Sequence, residues 1–184
     1  MPRVLLCSTP RVGSVSYAEK MSELMCLPLA FQPWEPYAFN KQPEEVKKRT
    51  LEAVDSQNVF VHSHIHVCSD KIKSFDYVIY IGRKDRIRQA WSFFVALHNK
   101  KMQNLKIENQ IIPRPSSEVI QMFIDWIRLW DQMSAGQHVV FYEDLNLKNN
   151  KWQQCVYSNI QIEDFAAIEN SITEQLGSRV RLSP

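Results

Sequence analysis

The feature that most limits the fold of this chain is a regular exchange between two kinds of sequence. "RVLLCS", "NVFVHSHIHV", "DYVIYIG" and "HVVFYEDL" are short runs rich in β-branched and aromatic residues. Helical spacing fills the intervals: residues 14–25 after the first run, then "PEEVKKRTLEAV", with a proline suited to a first turn, then "DRIRQAWSFFVALHNKK". The longest is "SSEVIQMFIDWIRLWDQM", where Val119, Ile120, Phe123, Trp126, Ile127 and Trp130 recur at three- and four-residue steps and Gly136 follows the end. Such alternation predicts an α/β domain with a central parallel sheet covered by helices on both faces. A last helix, "IEDFAAIENSITEQL", is expected to pack against that sheet, and "ENQIIPRPSSE" reads as a surface connection, with a lid as the other reading.

At 184 residues a single domain with one core is the simplest reading. The net charge of +2 gives little general attraction to nucleic acid or membrane, so any basic site must be local. No run reaches the roughly 18 apolar residues of a membrane span, and "MPRVLLCSTP" is interrupted too early for a secretory signal. A cytoplasmic protein is expected. Cys7, Cys26, Cys68 and Cys155 lack CxxC spacing and read as buried free thiols.

The chemistry starts in "STPRVGSVSYAEK", which passes from strand to loop to helix. In open α/β sheets ligands gather beyond the carboxyl ends of the strands, where helix N-termini present unpaired N–H groups. There Gly13 lets the backbone approach an anion, Ser14 and Ser16 add hydroxyl donors, and Arg11 adds a forked cation. A capped helix start beside a solvated Arg is the plainer alternative. A Walker loop needs GxxxxGK[ST]; this loop has one Gly followed by Ser, and no Lys until Lys20. A cysteine phosphatase would hold its anion-binding Arg further from Cys7 than Arg11 stands. A second switch from strand to helix, "DYVIYIGRKDRIRQAWSFF", places Arg83 at the strand end, Arg86 and Arg88 at the helix start and Ser92 further along. Two cationic mouths on one rim suit a ligand with two separated phosphates.

These segments resemble a known family. "TPRVGSVSYAEKM" is similar to the 5′-phosphosulfate loop of sulfotransferases that use 3′-phosphoadenylyl sulfate (PAPS), and "VIYIGRKDRIRQAWSFFVA" to their 3′-phosphate motif. "FQPWEPYAF" resembles the Glu-containing segment after the first helix, and "VVFYEDL" a later strand and turn. The wording "RQAWSFFVA" is closest to the bacterial trehalose-sulfotransferase-like branch. The resemblance implies a single-domain, three-layer P-loop-like α/β fold that transfers a sulfuryl group from PAPS to a hydroxyl or amine of a small molecule or glycan. It assigns Arg11, Val12, Gly13, Ser14, Val15 and Ser16 to the 5′-phosphosulfate, and Arg83 and Ser92 to the 3′-phosphate, with Lys84 as a possible stand-in for Arg83. Val12 and Val15 stand where such loops often carry hydroxyls. No metal, nucleic acid or membrane partner is implied, and a homodimer is left open. The other class is a non-catalytic module of the same fold that binds a nucleotide or another phosphorylated ligand.

In-line transfer needs a base for the acceptor proton and a cation near the leaving oxygen, the role suited to Arg11. Glu35 in "PWEPY" aligns with the family's catalytic Glu, and Trp34 and Tyr37 are expected to desolvate it and raise its pKa. His64 in "VHSHIHV" resembles the family's His and is the rival or assistant. Strand alternation places His62, His64 and His66 on one face, but no carboxylate stands at a metal-ligand spacing from them. Glu143 and Asp144 are read as fixing the turn after the last strand, and the Trp126 and Trp130 helix face as core.

Overall fold

Five short, largely apolar runs form the centre of the molecule. In the computed structural model, which describes residues 2–100, 106–145 and 156–177, the elements follow as β1 (Arg3–Ser8), α1 (Ser14–Met25), β2 (Leu29–Phe31), α2 (Pro36–Asn40), α3 (Glu44–Val54), β3 (Val59–His64), α4 (Ile65–Cys68), β4 (Tyr77–Gly82), α5 (Arg86–His98), β5 (Lys106–Glu108), β6 (Ile111–Ile112), α6 (Ser117–Ser134), β7 (Val139–Phe141), β8 (Val156–Ser158), β9 (Gln161–Ile162) and α7 (Phe165–Leu176). The main sheet is parallel throughout, with the order β2-β3-β1-β4-β7. This is the α/β architecture with helix-covered parallel sheet that the alternation predicts.

The period of two along β1 divides the core. Val4 and Leu6 join Val12, Ala18, Phe60 and Ile81 on the face covered by α1. Leu5 and Cys7 join Val59, Val61, Tyr80 and Trp130 on the opposite face, where Ala53 and Val54 of α3 and Leu129 and Met133 of α6 close the layer. Burial on both faces explains the continuous apolar runs of β1 and the first half of β3. Helix starts follow local chemistry. Asp85 accepts the amide of Arg88 at 2.8 Å to cap α5, and Ser116 accepts that of Val119 at 3.4 Å to cap α6.

Four expectations change. The histidine run is strand only to His64, because β1 ends opposite it at Ser8; His66 belongs to the single helical turn α4. "ENQIIPRPSSE" is not a bare connection, since parts of it pair in parallel as β5 with β8 and β6 with β9. Ile112 is thereby buried together with Ile162. The last helix packs on helices and not on the sheet: Ile168 and Ile172 of α7 join Phe93, Phe94, Phe123, Ile124 and Ile127 of α5 and α6 in a separate core. Of the cysteines, Cys7 and Cys68 are buried free thiols with sulfurs 3.5 Å apart, Cys26 is exposed, and Cys155 lies outside the described residues. Among the described residues no helix is long and apolar enough to cross a membrane.

Candidate active site

Strand order determines which loops can meet. From β1 the chain runs through α1 to β2 on one side of the sheet, and from β4 through α5 and α6 to β7 at the opposite edge. Adjacent strands β1 and β4 therefore lead away from each other, which opens a crevice between their carboxyl ends. In the register, Ser8 at the end of β1 lies beside His64 of β3 on one side and Ile81 of β4 on the other. Three strand ends thus deliver the β1–α1 loop, the Arg83 turn and the histidine strand to one rim.

The loop and the turn are joined directly. Arg11 Nε donates to Ser92 Oγ at 3.0 Å, and Arg83 Nη1 donates to the Arg11 carbonyl at 3.4 Å. Arg11 itself has φ of 66°, a left-handed conformation that turns the loop sharply. Gln89, fully buried in α5, clamps the loop from behind, its amide donating to Thr9 Oγ1 at 2.8 Å and to the Pro10 carbonyl at 2.7 Å. Gly13 stands at the α1 N-cap with φ of 71°, and no side chain caps the helix. Among the described residues no acceptor meets the amides of Ser14, Val15 and Ser16.

Several assigned residues behave differently from expectation. The Val12 side chain is fully buried in the α1-side core, so only its backbone belongs to the loop. Gly13 admits a ring: a Cβ there would lie 2.4 Å from Tyr142 Cδ2. The Tyr142 ring therefore walls the loop, with the Arg83 guanidinium 5.1 Å from its centre. Arg86 leaves the cationic mouth altogether. It is buried, donates to Asp131 at 2.9 Å and lies 4.8 Å over Trp130, because the first turn of α5 directs it inward. Arg88 stays exposed.

Glu143 and Asp144 act on the β4–α5 turn and not only on their own. Glu143 accepts the amides of Lys84 at 2.9 Å and Asp85 at 3.3 Å and lies 3.4 Å from Arg83 Nε, while Asp144 pairs with Lys84 Nζ at 2.5 Å. Lys84 is therefore already committed to a carboxylate.

On the other side of β1, the two rival bases meet as a pair. Glu35 Oε2 lies 2.8 Å from His64 Nδ1, and Oε1 accepts the His64 amide at 2.9 Å and the Ser63 hydroxyl at 3.2 Å. The carboxyl group is buried. Burial alone pushes its pKa up, as the sequence suggests, but the charge of His64, its ring and backbone hydrogen bonds, and His62 together bring it down to about 2. The expected upward shift is thus reversed. Trp34 packs edge-on against Phe75, 6.1 Å away; the Tyr37 side chain lies outside the described residues.

His62 and His66 flank His64, with ring centres 5.7 and 5.8 Å from it, and His66 stacks on Trp126 at 4.1 Å. Burial, reinforced by His64, lowers the pKa of His62 to about 3 and that of His66 to about 4. His62 Nε2 lies 2.8 Å from Ser14 Oγ, which links the histidine strand to the first residue of α1. Trp130 is core, while Trp126 is only partly buried.

No protein-family model matches this chain, and no curated protein matches it. Sequence reasoning passes over Gln89, Tyr142 and the bond from His62 to Ser14. Gln89 carried one weak signal, a polar residue on the apolar side of its helix; the others depend on packing between distant segments.

Proposed function

We propose that this chain is a sulfotransferase that moves the sulfuryl group of PAPS to a hydroxyl or amine of a small molecule or glycan. The observation that carries the reading is the convergence at Ser8, where the β1–α1 loop lies between the Glu35–His64 pair on the β3 side and Arg83 with Ser92 on the β4 side. Base, phosphosulfate loop and second phosphate site then stand in the order that the reaction needs.

In this mechanism Glu35, ionised at neutral pH, accepts from His64 Nδ1–H and so leaves Nε2 as the basic nitrogen. Nε2 takes the acceptor proton, the acceptor oxygen or nitrogen bonds to sulfur, and the sulfur–oxygen bond to the 5′-phosphate breaks with its electron pair on the phosphate oxygen. Arg11 and the amides of Ser14, Val15 and Ser16 stabilise that charge. Arg83 and Ser92 hold the 3′-phosphate, which replaces the bond between Arg11 and Ser92. The order of the two candidate bases is reversed here: His64 moves the proton and Glu35 orients it.

A second reading, a binding module without turnover, is favoured by the withdrawal of Val12 into the core and by the Glu143 carboxylate on the amides of Lys84 and Asp85. Calorimetry with 3′-phosphoadenosine 5′-phosphate against ATP tests the ligand class. Transfer of labelled sulfate from PAPS to an acceptor panel separates enzyme from module. Binding of ATP in preference to the adenosine bisphosphate would reject the sulfotransferase reading.

A further inference from the structure

His62 lies on the face of β3 that also presents Phe60, toward α1, and its side chain is fully buried. Its ring is held between Phe31, with centres 5.1 Å apart, and His64, which meets it edge-on at 79°. Nε2 faces Ser14 Oγ at 2.8 Å and Ser8 Oγ at 3.4 Å. Nδ1 is buried with no hydrogen-bond partner among the described residues. With its pKa lowered to about 3, chiefly by burial, the ring is neutral near pH 7 and carries one N–H and one lone pair.

Two tautomers are available, and they cost different amounts. With the proton on Nδ1, a buried N–H is left without an acceptor, and Ser14 must donate its hydroxyl hydrogen to Nε2. With the proton on Nε2, the ring donates to serine and only a lone pair goes unmatched. Orphaned buried N–H groups are rarer than acceptors short of a partner, and the Nε2–H form also gives the ring proton a serine acceptor, so the second tautomer is favoured. Ser14 Oγ then accepts from the ring and keeps its own hydrogen for a further partner, and no other side-chain bond engages it among the described residues.

We infer that His62 is a positioning residue that fixes Ser14 as a hydrogen-bond donor toward an anion at the start of α1. The opposite tautomer would direct serine lone pairs at the same anion and repel it. This deepens the sulfotransferase reading and rests on its placing of the 5′-phosphosulfate at this loop.

The test uses the full chain labelled with ¹⁵N-histidine. Two-bond nitrogen–proton spectra between about pH 5.5 and pH 8 are expected to show His62, assigned by its loss in His62→Gln, as a non-titrating Nε2–H tautomer. An Nδ1–H pattern would overturn the inference, whatever ligand binds. Glutamine can extend an amide donor to about the same place as Nε2, so His62→Gln should bind 3′-phosphoadenosine 5′-phosphate like the parent, whereas His62→Leu should bind about tenfold more weakly, the scale of one hydrogen bond to a charged group. Equal loss in both variants would also overturn it. Inorganic phosphate is titrated in parallel: a parent chain that binds phosphate but not the nucleotide rejects the sulfotransferase reading and leaves the His62 assignment standing on the spectrum.

Discussion

Arg11 Nε lies 3.0 Å from Ser92 Oγ, so a side chain of the first loop is bound to a helix 81 positions further along. The arginine and the serine come from opposite sides of the crevice between β1 and β4. A phosphate entering between them exchanges one neutral acceptor for a charged one, and hydrogen bonds to charged groups are the stronger kind.

Arg11→Ala and Arg83→Ala should therefore each weaken 3′-phosphoadenosine 5′-phosphate by about 1.5–3 kcal/mol in calorimetry. Arg86→Ala serves as the contrast, because that guanidinium is spent on Asp131 and Trp130. It should lower the melting temperature with little change in affinity. Full affinity in the Arg11 and Arg83 variants would remove the site assignment.

Glu35→Gln should lower kcat by about 10²–10⁴-fold, the span of general-base and base-orienting effects, with nucleotide affinity unchanged. His64→Ala should cost a similar factor, and the double variant little more, because the two residues act as one unit. Additive losses in steady-state kinetics would show that they act separately.

Stability should fall steadily on acidification, beginning near neutrality. His62 and His66 have folded pKa values of about 3 and about 4 against an ordinary 6.5, so below 6.5 the unfolded chain gains protons that the folded one refuses. Glu35 adds a second stage, because its carboxylate stabilises the fold above 4.5 and that contribution is lost as pH falls through about 2. For this buried group the shift corresponds to roughly 3 kcal/mol. Urea midpoints measured against pH should show both stages; Glu35→Gln should remove the lower one and deepen the upper one, because the Glu35 charge raises the pKa of His62 and His66.

Gly13→Ala should cost about 2–4 kcal/mol, combining the left-handed backbone penalty with overpacking. The added methyl would meet the Tyr142 ring at 2.4 Å, at a position with φ of 71°. Pairing it with Tyr142→Ala should recover the packing part only. Chemical denaturation of the three variants measures this, and an unaffected Gly13→Ala would show that the loop and ring are not in contact.

The five longer helices (α1, α3, α5, α6 and α7) and four of the five main-sheet strands were legible in the sequence, because burial on two faces demands long apolar runs and helical spacing demands three- and four-residue steps. The short helices α2 and α4 were not. Leu29–Phe31 was not, since three residues carry no period. Local sequence also marked Arg11, Glu35, His64, Arg83 and Ser92 as chemically capable. It could not say that Glu35 and His64 are partners, that Arg86 turns inward, or that Tyr142 rests on Gly13, because each of these contacts joins segments that are distant in sequence and becomes adjacent only through the strand order β3-β1-β4. The direction of the Glu35 shift has the same origin: a carboxyl group in an apolar pocket rises, but one facing a histidine across 2.8 Å falls, and only the packed sheet decides which neighbour it has.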